Sequence, residues 1–137
     1  MNLKHDVIIN SIYDFNEQII GIPSGLPLAP LSVELREWFL KALHEEIDEF
    51  RDSYEAQDLI GQVDAILDLV YFAVGRLQQM GLSRSQVLAC FEAVHAANMT
   101  KKRGVQAKRG NLEADAVKPS DWISPEDRIS KILQLVG

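Results

Sequence analysis

Glu46 and Glu49 in "HEEIDEF", and Asp64 and Asp68 in "VDAILDLVYFAV", are acids set in stretches otherwise suited to a core. With Glu46 as reference, a turn of about 100° per residue brings Leu35, Phe39, Ala42, Leu43 and Phe50 within about 60° of it. Glu46 therefore stands at the centre of an apolar stripe, with Glu45 and Glu49 at its edge. Glu37, Lys41, His44 and Asp48 take the solvated side. The neighbours of Asp64 and Asp68 are apolar nearly all round: Val63, Ile66, Leu67, Leu69, Val70, Phe72 and Val74. Asp64, Asp68, Tyr71 and Gly75 follow one line at i, i+4, i+7 and i+11, a polar seam in an oily rod. Withdrawing an isolated carboxylate from water is costly, and carboxylates brought together also repel one another. Ion pairs with Lys or Arg on other helices, or rotation toward water, would account for one such acid. Four together are most economically relieved by a divalent cation. Oxygen-only ligands favour hard ions, so the pattern predicts Mg²⁺, or Mn²⁺ in its place.

The elements that must position these acids are helices. Residues 3–20 carry Val7, Ile8, Ile12, Phe15, Ile19 and Ile20 at helical spacing. Three prolines and two glycines in "GIPSGLPLAPL", residues 21–31, predict a loop, with Ser32 as the N-cap of a second helix. That helix is predicted over 33–54 and a third over 56–80, stopped by Gly81. Ser83 with Gln86 three residues on is a capping-box signal for a fourth helix reaching about Met99. A basic, glycine-containing segment covers 101–111. Ser124 as N-cap and Pro125 in the first turn start a short last helix. No window alternates with period two, so strands are not expected. The reading is one all-α domain over 1–137, a four-helix-bundle core with a short C-terminal helix. The third helix is apolar on too many sides for one chain to cover, which predicts an oligomer.

The chain has 137 residues, 47% of them hydrophobic, enough for a core of its own. A formal net charge of −6 argues against nucleic-acid polymers and anionic membrane surfaces as partners. A small phosphate remains compatible where a metal ion bridges the like charges. The single cysteine, Cys90, can form neither an internal disulfide nor a cysteine-based zinc cluster, and fits a reducing compartment. "MNLKHDVIINS" has no small-residue cleavage site, and the longest apolar run contains Asp64 and Asp68. A soluble cytoplasmic protein is the expectation.

Taken together, "EEIDEF", "DAILDLVYFAVG", "FEAVHAANMTK" and "KPSDW", in that order, resemble the MazG-like and phosphoribosyl-ATP pyrophosphohydrolase-like superfamily of all-α nucleoside triphosphate pyrophosphatases. The likeness spans residues 33 to about 128. It implies a helical bundle that forms a homodimer or homotetramer. It also implies Mg²⁺-dependent cleavage of a (d)NTP or related nucleotide between the α- and β-phosphates, giving monophosphate and pyrophosphate. Glu46 and Glu49 match the first Glu-x-x-Glu pair, Glu45 is an additional acid, and Asp68 matches the Asp of a Glu-x-x-Asp pair. The Glu of that second pair is Ala65 here. Asp64 is read as its substitute, which predicts that Ala65→Glu is tolerated. The resemblance thus implies metal ligands Glu46, Glu49, Asp64 and Asp68, with Glu49 or Glu45 taking a proton from the attacking water. Asn98, read as pointing inward on the face of Val87, Phe91 and Val94, and Lys101 match the Asn-x-x-Lys of relatives. Lys118 would supply a second ammonium, Trp122 would close over substrate or pack, and Tyr71 would either fill the core or wall the site through a hydrogen bond. The basic segment 101–111 would be mobile and order over a triphosphate.

Two other readings stay open. "EAVH", Glu92 to His95, is one copy of the Glu-x-x-His that carboxylate-bridged di-iron or di-manganese bundles need twice. Ala65 instead favours a non-catalytic helical interaction protein or inactive relative, whose acids only set helix register.

Overall fold

A computed structural model of the chain describes residues 6–135. Among these residues it is mostly helical, with five α-helices and one small hairpin. The chain divides into two compact units, Met1–Ser85 and Gln86–Gly137.

In the first unit, α1 (Val7–Phe15) starts where the Asp6 carboxylate accepts the Ile9 N–H at 2.8 Å. It buries Ile9, Ile12 and Tyr13 and runs into a π-helical turn, Asn16–Ile20, that ends at Gly21. The predicted start at residues 3–5 lies outside the described residues. Ser32 caps α2 (Val33–Glu55) as its sequence position predicts, its hydroxyl accepting the Leu35 N–H at 3.2 Å. A short turn through 56–58 leads to α3 (Leu59–Gln79), capped by Asp58 at the Gly61 N–H. So short a link makes α2 and α3 an antiparallel hairpin, and they form the most extensive helix contact in the chain. Gly81 ends the run at φ +94°, and any Cβ there would lie 2.5 Å from the Pro27 carbonyl oxygen. The proline-rich loop is thereby held against the end of α3, with Ala29 N–H donating to Met80 O at 3.0 Å. α4 (Arg84–Asn98) begins directly after Ser83. At its first residue, the Arg84 guanidinium reaches back to Asn10, Asp14 and Glu17 of α1 and the π-turn, at 2.9, 2.7 and 3.1 Å.

The second unit contains most of α4 and corrects the expectation of no strands. β1 (Lys102–Gly104) pairs antiparallel with β2 (Asp115–Val117) in the register Lys102↔Val117, Arg103↔Ala116, Gly104↔Asp115. Three-residue strands are too short to show a period of two. Between them lies a 3₁₀ turn, Ala107–Arg109, whose Arg109 holds the Asp115 carboxylate by two bonds of 2.7 Å. The basic segment read as a mobile loop is therefore one arm of a hairpin. α5 (Glu126–Ile132) starts one residue later than read: Pro125 is its cap, and the Ser124 hydroxyl accepts the Glu126 N–H at 3.2 Å.

Helix α3 departs from the expectation of burial. Val63, Ile66, Leu67 and Val70 are 38–58% exposed, and only Ala65 near them is fully enclosed. An apolar surround makes burial favourable but does not provide the partner surface. No helix among the described residues is long and apolar enough to cross a membrane.

Candidate active site

The carboxylates are gathered by the α2–α3 hairpin. On α2 the stripe of Leu35, Phe39, Ala42 and Leu43 turns inward as periodicity predicts, and Phe50 at its end remains 36% exposed. Glu46 lies on that stripe half-buried, with Oε2 enclosed and without a hydrogen-bond partner. Asp68 is half-buried opposite it on α3, whereas Glu45, Glu49 and Asp64 are exposed. Partial withdrawal from water pushes the Glu46 carboxyl up to about 7. A hydrogen bond shared with the Glu49 carboxyl and the charges of Asp68, Glu49 and Asp64 add to the effect. Asp68 is raised by desolvation first, then by Asp64 and Glu49. Four acids from two helices thus form one electrostatic unit.

No Lys or Arg among the described residues forms an ion pair with any of these four acids, so interhelical salt bridges do not account for them. Equally, no three His, Cys, Asp or Glu side chains among the described residues converge as a ready-made metal cage. The residues nonetheless suit a hard divalent cation. Every donor is a carboxylate oxygen, the enclosed Glu46 Oε2 has no partner among the described residues, and no described Lys or Arg pairs with the cluster. Exposed Glu49 and Asp64 have the rotamer freedom to close on an ion.

Position 65 is where the helix geometry is least permissive. Ala65 has 0% exposure, so a glutamate there would have to bury its charge. That burial weighs against the expectation that Ala65→Glu is tolerated. Asp64, next to it, faces outward yet still acts on both Glu46 and Asp68.

The remaining site residues fall in two places. Tyr71, on α3, is 38% exposed and meets Phe15 edge-on, with ring centroids 5.5 Å apart. In the second unit, Lys101 and Lys118 both lie over the Trp122 ring, their ammonium groups 5.2 and 4.6 Å from its centroid. The Trp122 indole N–H donates to Ala97 O at 2.8 Å, which packs the ring against the end of α4. Of the face read from the sequence, Val87 is buried and Val94 half-buried, but the packing of Trp122 turns the end of α4 differently. Ala93 and Ala97 are buried, while Phe91, His95 and Asn98 are exposed, so Asn98 does not point inward. Val87 and Leu88 are buried nearer the start of α4, and toward its end the small Ala93 and Ala97 make the contact, where the indole approaches the backbone.

Sequence reasoning missed a second concentration of polar atoms at the open end of the α2–α3 hairpin, around Arg76 and Asn16. Both are buried, at 6% and 4% exposure. The available signal was an arginine in the otherwise apolar "VYFAVGRL", one helical turn beyond Phe72.

Comparison with known families bears on the chemistry. The family model described as phosphoribosyl-ATP pyrophosphohydrolase matches residues 15–98, more than half of the chain. The matched span holds Glu45, Glu46, Glu49, Asp64, Asp68 and Tyr71 and ends at Asn98; Lys101, Lys118 and Trp122 lie beyond it. No curated protein sequence matches the chain.

Proposed function

The chain belongs to the phosphoribosyl-ATP pyrophosphohydrolase family, in the MazG-like all-α superfamily, and from that premise we propose a metal-dependent nucleoside triphosphate pyrophosphohydrolase. Family membership supports a nucleotide pyrophosphohydrolase-type activity, a hydrolase acting on phosphoric anhydrides. The finer reading is cleavage of a (d)NTP or related nucleotide between the α- and β-phosphates.

One observation carries it: four carboxylates share a hairpin without a cationic partner among the described residues, and one of them is pushed up to about 7. In this reading Glu46, Glu49, Asp64 and Asp68 hold Mg²⁺, or Mn²⁺. The ion's chemistry, when bound, is to neutralise polyphosphate charge and to acidify water. Glu49 or Glu45, both exposed, accepts the proton as water attacks the α-phosphorus. In the second unit Lys101 and Lys118 present two ammonium groups suited to a phosphate, and Trp122 holds both from one side. Tyr71 would add a substrate contact from the first unit. The outward apolar residues of α3 support a homodimer or homotetramer. The lone Cys90 supports a reducing, cytoplasmic setting.

Pyrophosphate release from a panel of NTPs and dNTPs, with and without Mg²⁺, tests the reading. Monophosphate and pyrophosphate are the expected products. Orthophosphate with a nucleoside diphosphate would place the cleavage at the wrong bond and overturn it. The enclosed Ala65 favours a second reading, an inactive relative that acts through its helices. Failure of every nucleotide in the panel, with Mg²⁺ leaving stability unchanged, would select it.

A further inference from the structure

The hairpin that gathers the acids also forms one side of a cleft of about 670 Å³, lined in part by Phe15, Asn16, Trp38, Tyr71, Phe72 and Arg76. Its walls are aromatic: Trp38 meets Phe72 edge-on at 5.7 Å, as Phe15 meets Tyr71 at 5.5 Å. The Arg76 guanidinium lies 4.7 Å from the centroid of the Trp38 ring, over its face. In that position its face is covered and its N–H groups are free to bond in their own plane. Nε and Nη1 are buried without a partner, as is the side-chain nitrogen of Asn16. One acceptor, Gln79 Oε1, is equally unpartnered and also lines the cleft.

Unpartnered buried donors are rare because each forfeits its bonds to water. Here three donors and one acceptor share an aromatic cleft, and Gly75 keeps the arrangement open. A Cβ at Gly75 would lie 2.6 Å from the Asn16 side-chain nitrogen. A lone phosphate is a poor occupant: Glu34 stands in the lining, and the walls offer rings rather than further cations. A planar ring with acceptor atoms on its edge satisfies both the walls and the donors. Position agrees. Trp38 precedes Glu46 by eight residues and Arg76 follows Asp68 by eight, about 12 Å along the helix axes. A nucleotide laid along the hairpin spans such a distance from base to polyphosphate.

We propose that this cleft receives the base of the nucleotide, and that Arg76 and Asn16 select a ring bearing oxo groups, as in guanine or uracil, over adenine. The proposal rests on the nucleotide-hydrolase reading for its ligand, but its test does not require hydrolysis. Isothermal titration of the metal-free full chain with GMP, UMP and AMP reads the cleft directly. GMP and UMP are expected to bind about tenfold more tightly than AMP, the scale of one good edge contact to a base. Arg76→Met should abolish that preference by weakening GMP and UMP, leaving AMP unchanged. Gly75→Ala, which displaces Asn16 and leaves Arg76 intact, should reduce the preference and serves if Arg76→Met does not fold. Equal affinity for all three, no binding at all, or a full preference retained in a folded Arg76→Met or Gly75→Ala protein overturns the proposal. Pyrophosphate release without base preference defeats this inference alone. Base preference without pyrophosphate release defeats only the assignment of the reaction.

Discussion

Glu46 concentrates the electrostatics of this site. Its carboxyl is raised to about 7 from an ordinary 4.5, so the folded state prefers it protonated. The corresponding stability is fully present below about 4.5 and is lost as pH rises through about 7. Metal-free protein should accordingly melt lower at pH 8 than at pH 5. Glu46→Gln should remove much of that difference and raise the melting temperature at pH 8. Solvent screening limits the gain to about 1 kcal/mol. Thermal scans in EDTA at the two pH values check it, and a Glu46→Gln protein that melts lower at pH 8 would contradict the strained-cluster reading. The same variant should gain less from Mg²⁺ than wild type, since linked stabilisation follows affinity. Enclosed Ala65 makes a second residue-scale case. Ala65→Glu should cost about 3 kcal/mol in EDTA, as an unpaired buried charge does, and should recover part of it with Mg²⁺. Asp64→Asn, at an exposed position, should fold normally yet weaken Mg²⁺ binding about tenfold or more. Denaturant unfolding and metal titration of the two variants separate these effects.

The elements depend on a few junctions. Gly81 combines φ +94° with a backbone oxygen 2.5 Å from where a Cβ would stand. Gly81→Ala should thus cost about 2 kcal/mol, more than a strain-free glycine replacement changes stability. Chemical denaturation measures this, and a cost near zero would mean the proline-rich loop is not held against α3. The β1–β2 hairpin has a different lock. Arg109 holds the Asp115 carboxyl down at about 2, below its ordinary 3.8. The contribution of that ion pair is present above 3.8 and disappears as pH falls through about 2. Amide exchange at residues 102–104 should accelerate in Arg109→Ala relative to wild type at pH 5. The difference should shrink as Asp115 protonates.

At the scale of the whole molecule, α3 carries several exposed large apolar side chains. Val63 and Leu67 are 50% and 58% exposed on one helical face, and Ile66 is 49% exposed. We read these exposed apolar side chains as an interface between copies of the chain. Sedimentation at micromolar concentration should give a dimer or tetramer, and Leu67→Glu should shift it toward a 15.4 kDa monomer. A monomeric wild type would leave these side chains without the partner they require.

Helix boundaries were largely legible because they are local. Ser32 bonds three residues ahead, Gly81 supplies its own φ, and the spacing of Leu35, Phe39, Ala42 and Leu43 sets the inward face of α2. The apolar stripe that carries Glu46 was legible for the same reason, since it follows from spacing along one helix. Features that depend on distant segments were not. The face of α4 turned on Trp122 seeking Ala97 O, the hairpin on three-residue strands, and the aromatic cleft on Asn16 reaching Gly75. A helix's periodicity records which residues are apolar, but only tertiary packing decides which of them are covered. It left Leu67 in solvent, enclosed Ala65, and buried the guanidinium of Arg76.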